Sequence, residues 1–335
     1  MKIAFFEMKE KWEIEYMKKH LKNHRLFFFS GELNKNNAKN FRDFDIISIF
    51  IYSNITPDVI SELKKTKAII TRSTGFDHVD IKSCDRNKIK VYNVPRYGSN
   101  TVAEYAFALV LALARKIIRS NERVRNLDFS LDGLRGMDIK GKTLGIVGLG
   151  EIGACVAEIA RGFGMNILVS TKIKDPKTAK SLGFRYVNFN YLLKNSDIIT
   201  FHVPLLPSTK HMLNSGNINL VKKGALLINT SRGEVIETET VIKALNRGII
   251  SGAAMDVLEG EELIKDEREL LFKQHSHEEL KAALEESVLA EHENVIITPH
   301  NAFNTQEALQ RILDVTIQDV RFAIQNKKEN TVKCE

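Results

Sequence analysis

Three residues in the second half of this chain, Arg232, Glu261 and His300, carry the side chains that reaction at a carbonyl requires. Each lies just beyond a short apolar run: Asn229-Thr-Ser-Arg232-Gly233, Ala254-Met-Asp256-Val-Leu-Glu-Gly-Glu261 and Ile297-Thr-Pro-His300-Asn-Ala-Phe303. A fourth segment, Arg72-Ser-Thr-Gly75-Phe-Asp77, ends a strand of the N-terminal part. Ligands of open α/β sheets bind beyond the carboxyl ends of the strands, so these segments are expected at such an edge. Arginine offers a bidentate fork to a carboxylate and polarises a ketone. Histidine titrates near neutrality and can protonate a developing alkoxide. An acid behind it fixes its tautomer and favours its protonated form. The set suits hydride transfer between a nicotinamide and a 2-keto acid. Taken singly, each has an ordinary reading. Arg232 serves as well in a surface ion pair, His300 in a loop, Glu261 on a solvated acidic face and Asp256 as a cap.

The nicotinamide is suggested by Gly148-x-Gly150-x-x-Gly153. It follows the apolar run Thr143–Val147 and opens a helical stretch from Ala154 to Phe163. The first glycine permits the turn and the second admits a pyrophosphate. The third lets helix and strand pack closely, and the helix N-terminus faces the phosphates. A strand before the motif and a helix after it make the fingerprint specific.

Around these residues the chain alternates strands and helices. In residues 1–99 the strand candidates are Lys2–Glu7, Leu26–Ser30, Asp45–Tyr52, Ala68–Arg72 and Lys90–Asn93. Helical stretches lie between them at Lys9–Lys22, Pro57–Lys64 and Asp80–Asn87. This predicts a parallel, doubly wound sheet. Residues 100–119 read as one long connecting helix, with Thr101-x-x-Glu104 as its capping box. A second series predicts six strands: Thr143–Val147, Asn166–Ser170, Asp197–Phe201, Ala225–Asn229, Ser251–Asp256 and Val295–Thr298. A charged, helix-prone insertion at 259–292 interrupts it. A last amphipathic helix covers Thr305–Gln325, and the polar tail 326–335 is expected to fray.

The 335 residues suggest two domains. A net charge of +7 comes from lysines scattered among acids, with no block of like charge, which argues against nucleic acid. The three cysteines, Cys84, Cys155 and Cys334, show no CxxC and no histidine spacing suited to zinc. No metal is expected, and a reducing cytoplasm fits. The N-terminus has too short an apolar run for a signal peptide, and the apolar stretch from Val102 to Ala114 is too short to span a bilayer.

The whole chain resembles the D-2-hydroxyacid dehydrogenases over about residues 1–325. The resemblance rests on Gly75-Phe-Asp-His-Val-Asp80, Asn93-Val-Pro-Arg-Tyr97, Val102-Ala-Glu104, Gly148–Gly153, His202-Val-Pro204, Ile228-Asn-Thr-Ser-Arg232-Gly233, Asp256-Val-Leu-Glu-Gly-Glu261 and Thr298-Pro-His300-Asn-Ala-Phe303. It implies an α/β fold of two doubly wound domains. A Rossmann-type NAD(P)-binding domain, 100–301, is inserted into a discontinuous flavodoxin-like substrate domain, 1–99 with 302–335. The active cleft is expected at the hinge. The resemblance gives Arg232, Glu261 and His300 the roles argued above. It puts the substrate carboxylate on the amides near Thr74 and Gly75, with Arg232, and lines the substrate pocket with Tyr97 and Phe303. Cofactor contacts fall on Gly148, Gly150, Glu151, Ile152 and Gly153 at the pyrophosphate. Val203, Pro204, Thr209, Thr230 and Ser231 follow, with Asp256 at the nicotinamide carboxamide. A homodimer through the cofactor domains is implied, with the 102–114 helix at the contact.

The sequence after His300 and the 259–292 insertion resemble the D-lactate and D-2-hydroxyisocaproate branch. Glyoxylate or hydroxypyruvate reduction is the alternative. A cofactor-dependent corepressor-like binding protein is the alternative of another class. One position departs from the pattern. Thr171, beside Lys172, stands where NAD-dependent members carry the acid that binds the ribose 2′-hydroxyl. NAD is the implied cofactor, and the missing acid leaves NADP open.

Overall fold

A computed structural model describes residues 1–259 and 277–332. Two compact units are present: Met1–Tyr97 with Thr305–Glu335, and Gly98–Asn304.

The first unit holds a parallel sheet of five strands. They are β1 (Lys2–Phe5), β2 (Arg25–Phe28), β3 (Ile46–Ile49), β4 (Ala68–Thr71) and β5 (Lys90–Asn93), in the order β2-β1-β3-β4-β5. Every residue of β3 and β4 is buried, as expected of parallel strands covered on both faces. Between strands run α1 (Lys11–His20), α2 (Pro57–Glu62) and α3 (Ile81–Arg86). Val59, Ile60 and Cys84 from α2 and α3 pack on one face with Phe6, Phe41 and Ile47. On the other face Met17 of α1 packs with Ile3, Phe5, Ile46 and Ile70. The first strand ends at Phe5 rather than at Glu7. Glu7 takes a left-handed conformation (φ 57°), and its carboxylate accepts the N–H groups of Phe50, Tyr52 and Ser53 at 3.0–3.1 Å. The same capture ends the third strand before residue 50.

The second unit opens with α4 (Ser99–Ala114) and α5 (Ile117–Arg125), two helices where the sequence reads as one. The break falls at Lys116 (φ 51°), where the Ala114 carbonyl accepts Met137 N–H at 2.8 Å from a returning segment. Gly98 stands at the N-cap, so Thr101 sits buried in the first turn and the expected capping box does not form there. Then follow β6 (Thr143–Val147), α6 (Glu151–Gly162), β7 (Asn166–Ser170), α7 (Pro176–Leu182), β8 (Arg185–Tyr186), α8 (Phe189–Asn195) and β9 (Ile198–Phe201). The unit closes with β10 (Ala225–Asn229), α9 (Thr238–Asn246), β11 (Ile250–Met255), α10 (His277–Glu291) and β12 (Val295–Ile297). The seven strands are parallel, in the order β12-β11-β10-β9-β6-β7-β8. The order reverses between β6 and β9, the switch point at which a doubly wound sheet binds its ligand. The extra strand, β8, is two residues long, too short for a pattern of alternation.

The chain re-enters the first unit as α11 (Gln306–Ile324), capped by Thr305, whose hydroxyl accepts Ala308 N–H at 3.2 Å. Leu313, Ile317 and Val320 of α11 cover the face that carries Ile3, Phe5 and Ile70. The tail does not fray through residue 332. Thr331 bridges Tyr92 of β5, Val332 N–H reaches Val91 O at 2.9 Å, and Tyr92 Oη donates to Lys327 O at 2.7 Å. The open edge of β5 satisfies a tail that has no apolar pattern of its own.

Candidate active site

The glycine turn is shaped for a pyrophosphate. Gly148 has φ 96°, and a Cβ there would meet His202 O at 2.6 Å. A Cβ on Gly153 would meet Gly148 O at 2.2 Å, so helix and turn touch backbone to backbone. Gly150 has nothing within 4 Å of its Cβ position, which leaves the approach to α6 open. Gly150 is also the N-cap and offers no side chain to the first-turn amides of Glu151 and Ile152. The N-terminus of α6, with its helix dipole, suits an anion.

Gly148 N–H donates to Ser170 O at 2.8 Å, so Thr171 begins the loop directly beside this turn. Thr171 is half-buried; Lys172 is exposed and donates to Ser208 Oγ at 3.1 Å. The next acid along the chain, Asp175, caps α7; the Thr178 hydroxyl that it accepts at 2.5 Å, with the N–H groups of Lys177 and Thr178, holds its carboxyl below the usual range. Across the switch point, Thr209 Oγ1 donates to Pro204 O at 2.6 Å, within its own loop. Val203 is half-buried and Pro204 exposed. His202, in the same segment, is pushed down to about 3 by burial.

Arg232, Asp256 and His300 follow three adjacent strands, β10, β11 and β12. A lateral run of backbone bonds ties them together. Asp256 N–H donates to Asn229 O at 2.9 Å, and His300 N–H donates to Asp256 O at 2.8 Å. Asn229 also organises the arginine's loop. Its Oδ1 accepts Ser231 N–H (3.0 Å) and Ser231 Oγ–H (2.7 Å), while its Nδ2 donates to Arg232 O (2.8 Å). Arg232 Nη1 donates to Ser231 O at 2.8 Å. Thr230 Oγ1 is buried with no partner among the described residues.

The Asp256 side chain, 1% exposed, is enclosed by the histidine's loop. Oδ1 accepts Thr298 Oγ1–H at 2.5 Å and Asn301 N–H at 2.8 Å, and Oδ2 accepts Ala302 N–H at 2.9 Å. Burial raises its pKa, and these bonds together with His300 oppose the rise. His300 itself is left-handed (φ 53°), with its ring 6.5 Å from that of Phe303 in an edge-on arrangement. Gly233 brings the arginine's loop against Leu258–Glu259, since a Cβ there would lie 2.1 Å from Leu258 O. Glu259 is anchored by His211, Nε2 to Oε1 at 2.5 Å, and by Thr238 Oγ1 at 3.2 Å. Glu261 lies outside the described residues.

In the first unit, the loop after β4 presents backbone amides. Ser73 O accepts Val94 N–H (3.0 Å), Thr74 O accepts Asn93 Nδ2 (2.8 Å) and Gly75 O accepts Ser73 Oγ–H (2.6 Å). In a trans peptide the N–H points away from the carbonyl, so the N–H groups of Thr74, Gly75 and Phe76 face away from these anchors. None of the three has a partner among the described residues. Such successive free amides suit an anion. Tyr97, which ends this stretch, is held through its carbonyl by Arg311 Nε at 2.6 Å. Arg72 is structural: its buried guanidinium donates to Ser48 Oγ (3.1 Å) and Phe6 O (2.7 Å).

A family model described as "D-isomer specific 2-hydroxyacid dehydrogenase, NAD binding domain" matches residues 107–302. The chain belongs to this family. The dehydrogenase is 35% identical over 328 residues to D-lactate dehydrogenase of Escherichia coli, with 96% of each chain covered. It is 35% identical over 286 residues to glyoxylate reductase of Thermococcus litoralis, covering 83% of this chain and 80% of that one. Among solved structures, D-lactate dehydrogenase from Aquifex aeolicus complexed with NAD and lactic acid superposes with a TM-score of 0.87, at 33% identity over 98% of this chain and 97% of that one. The dehydrogenase is therefore an NAD-dependent oxidoreductase of 2-hydroxy and 2-keto acids, with a Rossmann cofactor domain. The open approach at Gly150 and the uncapped α6 fit NAD.

Within the second unit the dehydrogenase places Arg232, Asp256, His300 and Phe303 along one sheet edge, with Thr230 and Ser231 beside the arginine. Its first unit carries Thr74, Gly75 and Tyr97. Sequence reasoning missed Asn229, the organiser of the arginine's loop. A polar residue closing an apolar strand was the available signal. It also missed the His211–Glu259 pair, which lies 48 positions apart and has no spacing to reveal it.

Proposed function

We propose that this dehydrogenase interconverts a small D-2-hydroxy acid and its 2-keto acid, with D-lactate and pyruvate or close analogues as the pair. The observation that carries this is the lateral run Asn229–Asp256–His300, which sets a cation-bearing loop and a histidine side by side beyond β10 to β12. The bound nicotinamide supplies or takes up the hydride. Arg232 grips the carboxylate and polarises the ketone, and the free amides at Thr74 and Gly75 add donors. His300 holds the proton that ends on the alkoxide, and Glu261 stabilises its charged form. Tyr97 and Phe303 give the pocket aromatic walls, which favour small or apolar side chains. Glu151, Ile152, Val203, Pro204, Thr230 and Ser231 are assigned to the dinucleotide.

Residues 1–99 with 302–335 are assigned to substrate binding and 100–301 to the cofactor. A cytoplasmic homodimer is the proposed form. What supports the dimer is a run of exposed apolar side chains in and after α5, with Leu127, Phe129 and Leu131 exposed by 84, 73 and 83%. Among the described residues no helix is long and apolar enough to cross a membrane.

A second cofactor is part of this reading. Thr171 brings no charge to the end of β7, Asp175 is held as the α7 cap, and the exposed Lys172 stands beside Thr171. We assign the site to NADP as well as NAD.

The test is kcat/KM on pyruvate, 2-ketoisocaproate, phenylpyruvate, glyoxylate and hydroxypyruvate with both cofactors. Preference for the first three supports the lactate-type reading; preference for glyoxylate or hydroxypyruvate replaces it. His300→Gln is expected to lower kcat about 10²–10⁴-fold with dinucleotide affinity retained. Near-normal turnover in that variant would remove the proton-donor role.

A further inference from the structure

Gly75 differs from the two residues before it. The carbonyls of Ser73 and Thr74 are held from the end of β5, by Val94 N–H and Asn93 Nδ2. The Gly75 carbonyl is held, among the described residues, by a hydroxyl alone, Ser73 Oγ at 2.6 Å. That hydroxyl ends a relay. Thr71 Oγ1 lies 2.6 Å from Ser73 Oγ and 3.0 Å from His78 Nε2.

The proton directions follow from counting. A hydroxyl has one proton, and Ser73 gives its own to a carbonyl that only accepts. Thr71 must therefore donate to Ser73, and His78 Nε2–H must donate to Thr71. Neutral or charged, His78 carries a proton on Nε2. Every bond in the relay points toward Gly75, so each strengthens the next, and the dipoles present their positive ends to the loop. Thr71 is fully buried and Ser73 is 3% exposed, so water does not substitute readily. The anchored carbonyl fixes the plane of the Gly75–Phe76 peptide, and with it the direction of Phe76 N–H.

We propose that His78, Thr71 and Ser73 are positioning residues for the substrate carboxylate, acting through the Gly75–Phe76 peptide, and that Phe76 N–H is a further donor to that carboxylate. This rests on the reading of the loop after β4 as the carboxylate's seat. Without the relay the peptide is free to rotate, and the amide nest loses one of its three members. Hydride transfer itself should be little affected, because the relay ends on the Gly75 carbonyl and acts on the orientation of one peptide.

Steady-state kinetics with pyruvate and NADH, inhibition by oxamate, and NADH binding by nicotinamide fluorescence test this in the full-length enzyme. Ser73→Ala and His78→Leu are expected to raise both KM for pyruvate and Ki for oxamate about tenfold, the effect of one misdirected hydrogen bond to an anion. In both, kcat should stay within about threefold and NADH affinity should hold. Ser73→Thr and His78→Gln keep a donor at each place and should recover most of the loss. An active Ser73→Ala enzyme with unchanged KM overturns the proposal, as does a parallel fall in kcat and NADH affinity. If Ser73→Ala does not fold, the two His78 variants decide alone. A wild-type enzyme that reduces no 2-keto acid overturns the function assigned above and this proposal with it. Normal wild-type turnover with indifferent variants overturns the relay only.

Discussion

The carboxylate of Asp256 accepts Ala302 N–H at 2.9 Å while the Asp256 backbone carbonyl accepts His300 N–H at 2.8 Å. One residue thus clasps both sides of the histidine's loop and holds His300 in a left-handed conformation. Backbone in that region costs energy for a side chain with a Cβ, and surrounding bonds must sustain it.

Asp256→Ala should therefore lower kcat by at least tenfold, by releasing His300 rather than by removing a reacting group. Leaving the half-buried donors Thr298 and Asn301 and the buried Ala302 N–H unpaired should also destabilise the protein by roughly 2–4 kcal/mol. Asp256→Asn keeps an acceptor and should fall between the two. Thermal melting and kcat, measured on the same preparations, check this; a fully active Asp256→Ala enzyme would contradict it.

Gly233 fixes the spacing between the arginine's loop and Leu258–Glu259. Alanine there must displace backbone, since its Cβ would lie 2.1 Å from Leu258 O. Gly233→Ala is expected to cost about 1–3 kcal/mol in stability. It should also raise KM for the keto acid, because Arg232 moves with its loop. Urea unfolding and steady-state kinetics report the two effects separately.

Asp319 gives a pH dependence of stability. It is fully buried on α11, accepts Asn330 Nδ2 at 2.9 Å, and is pushed up to about 7 by burial, which that bond only partly offsets. The native form therefore binds a proton that the unfolded chain gives up near pH 4. Stability from this group is full below about pH 4 and is lost as pH rises toward 7, by about 1.4 kcal/mol per unit across the window. Above pH 7 the loss is constant. Asp319→Asn should match the wild type in unfolding free energy from urea titration near pH 4, then exceed it by a few kcal/mol at pH 8. Equal differences at the two pH values would refute the assignment.

Thr171→Asp restores a carboxylate at the tip of β7. NADPH affinity should fall more than tenfold through repulsion, while NADH affinity rises severalfold through a bond to the ribose. Nicotinamide fluorescence titration measures both. An unchanged NADPH affinity would place the 2′-group elsewhere.

The strands of both sheets were legible because parallel strands buried on both faces read as bare apolar runs, such as Ile46–Ile49 and Ile198–Phe201. The segments beyond β10, β11 and β12 were legible for the same reason, since each begins where an apolar run stops. What stayed hidden depends on partners distant in sequence. Glu7 ends its strand because of residues 50–53, and the helix after Ser99 breaks because residue 137 returns to cap it. The relay from His78 to Gly75 has no period, only a loop that folds back on its strand. Strand β8 needed its neighbour β7 to be recognised at all.

The covering of the first sheet by α11 also sets an order in time. Ile3, Phe5 and Ile70 are synthesised before residue 98, yet Leu313, Ile317 and Val320, which shield them, follow residue 304. At about 5–20 residues per second, a ribosome needs roughly 10–40 s to make the intervening segment. The second unit is continuous and emerges complete before α11 is made, while the face of the first sheet that α1 covers still lacks its second helix. That interval is when nascent chains are most exposed to aggregation and to chaperones, and truncation anywhere before Val320 would make the wait permanent.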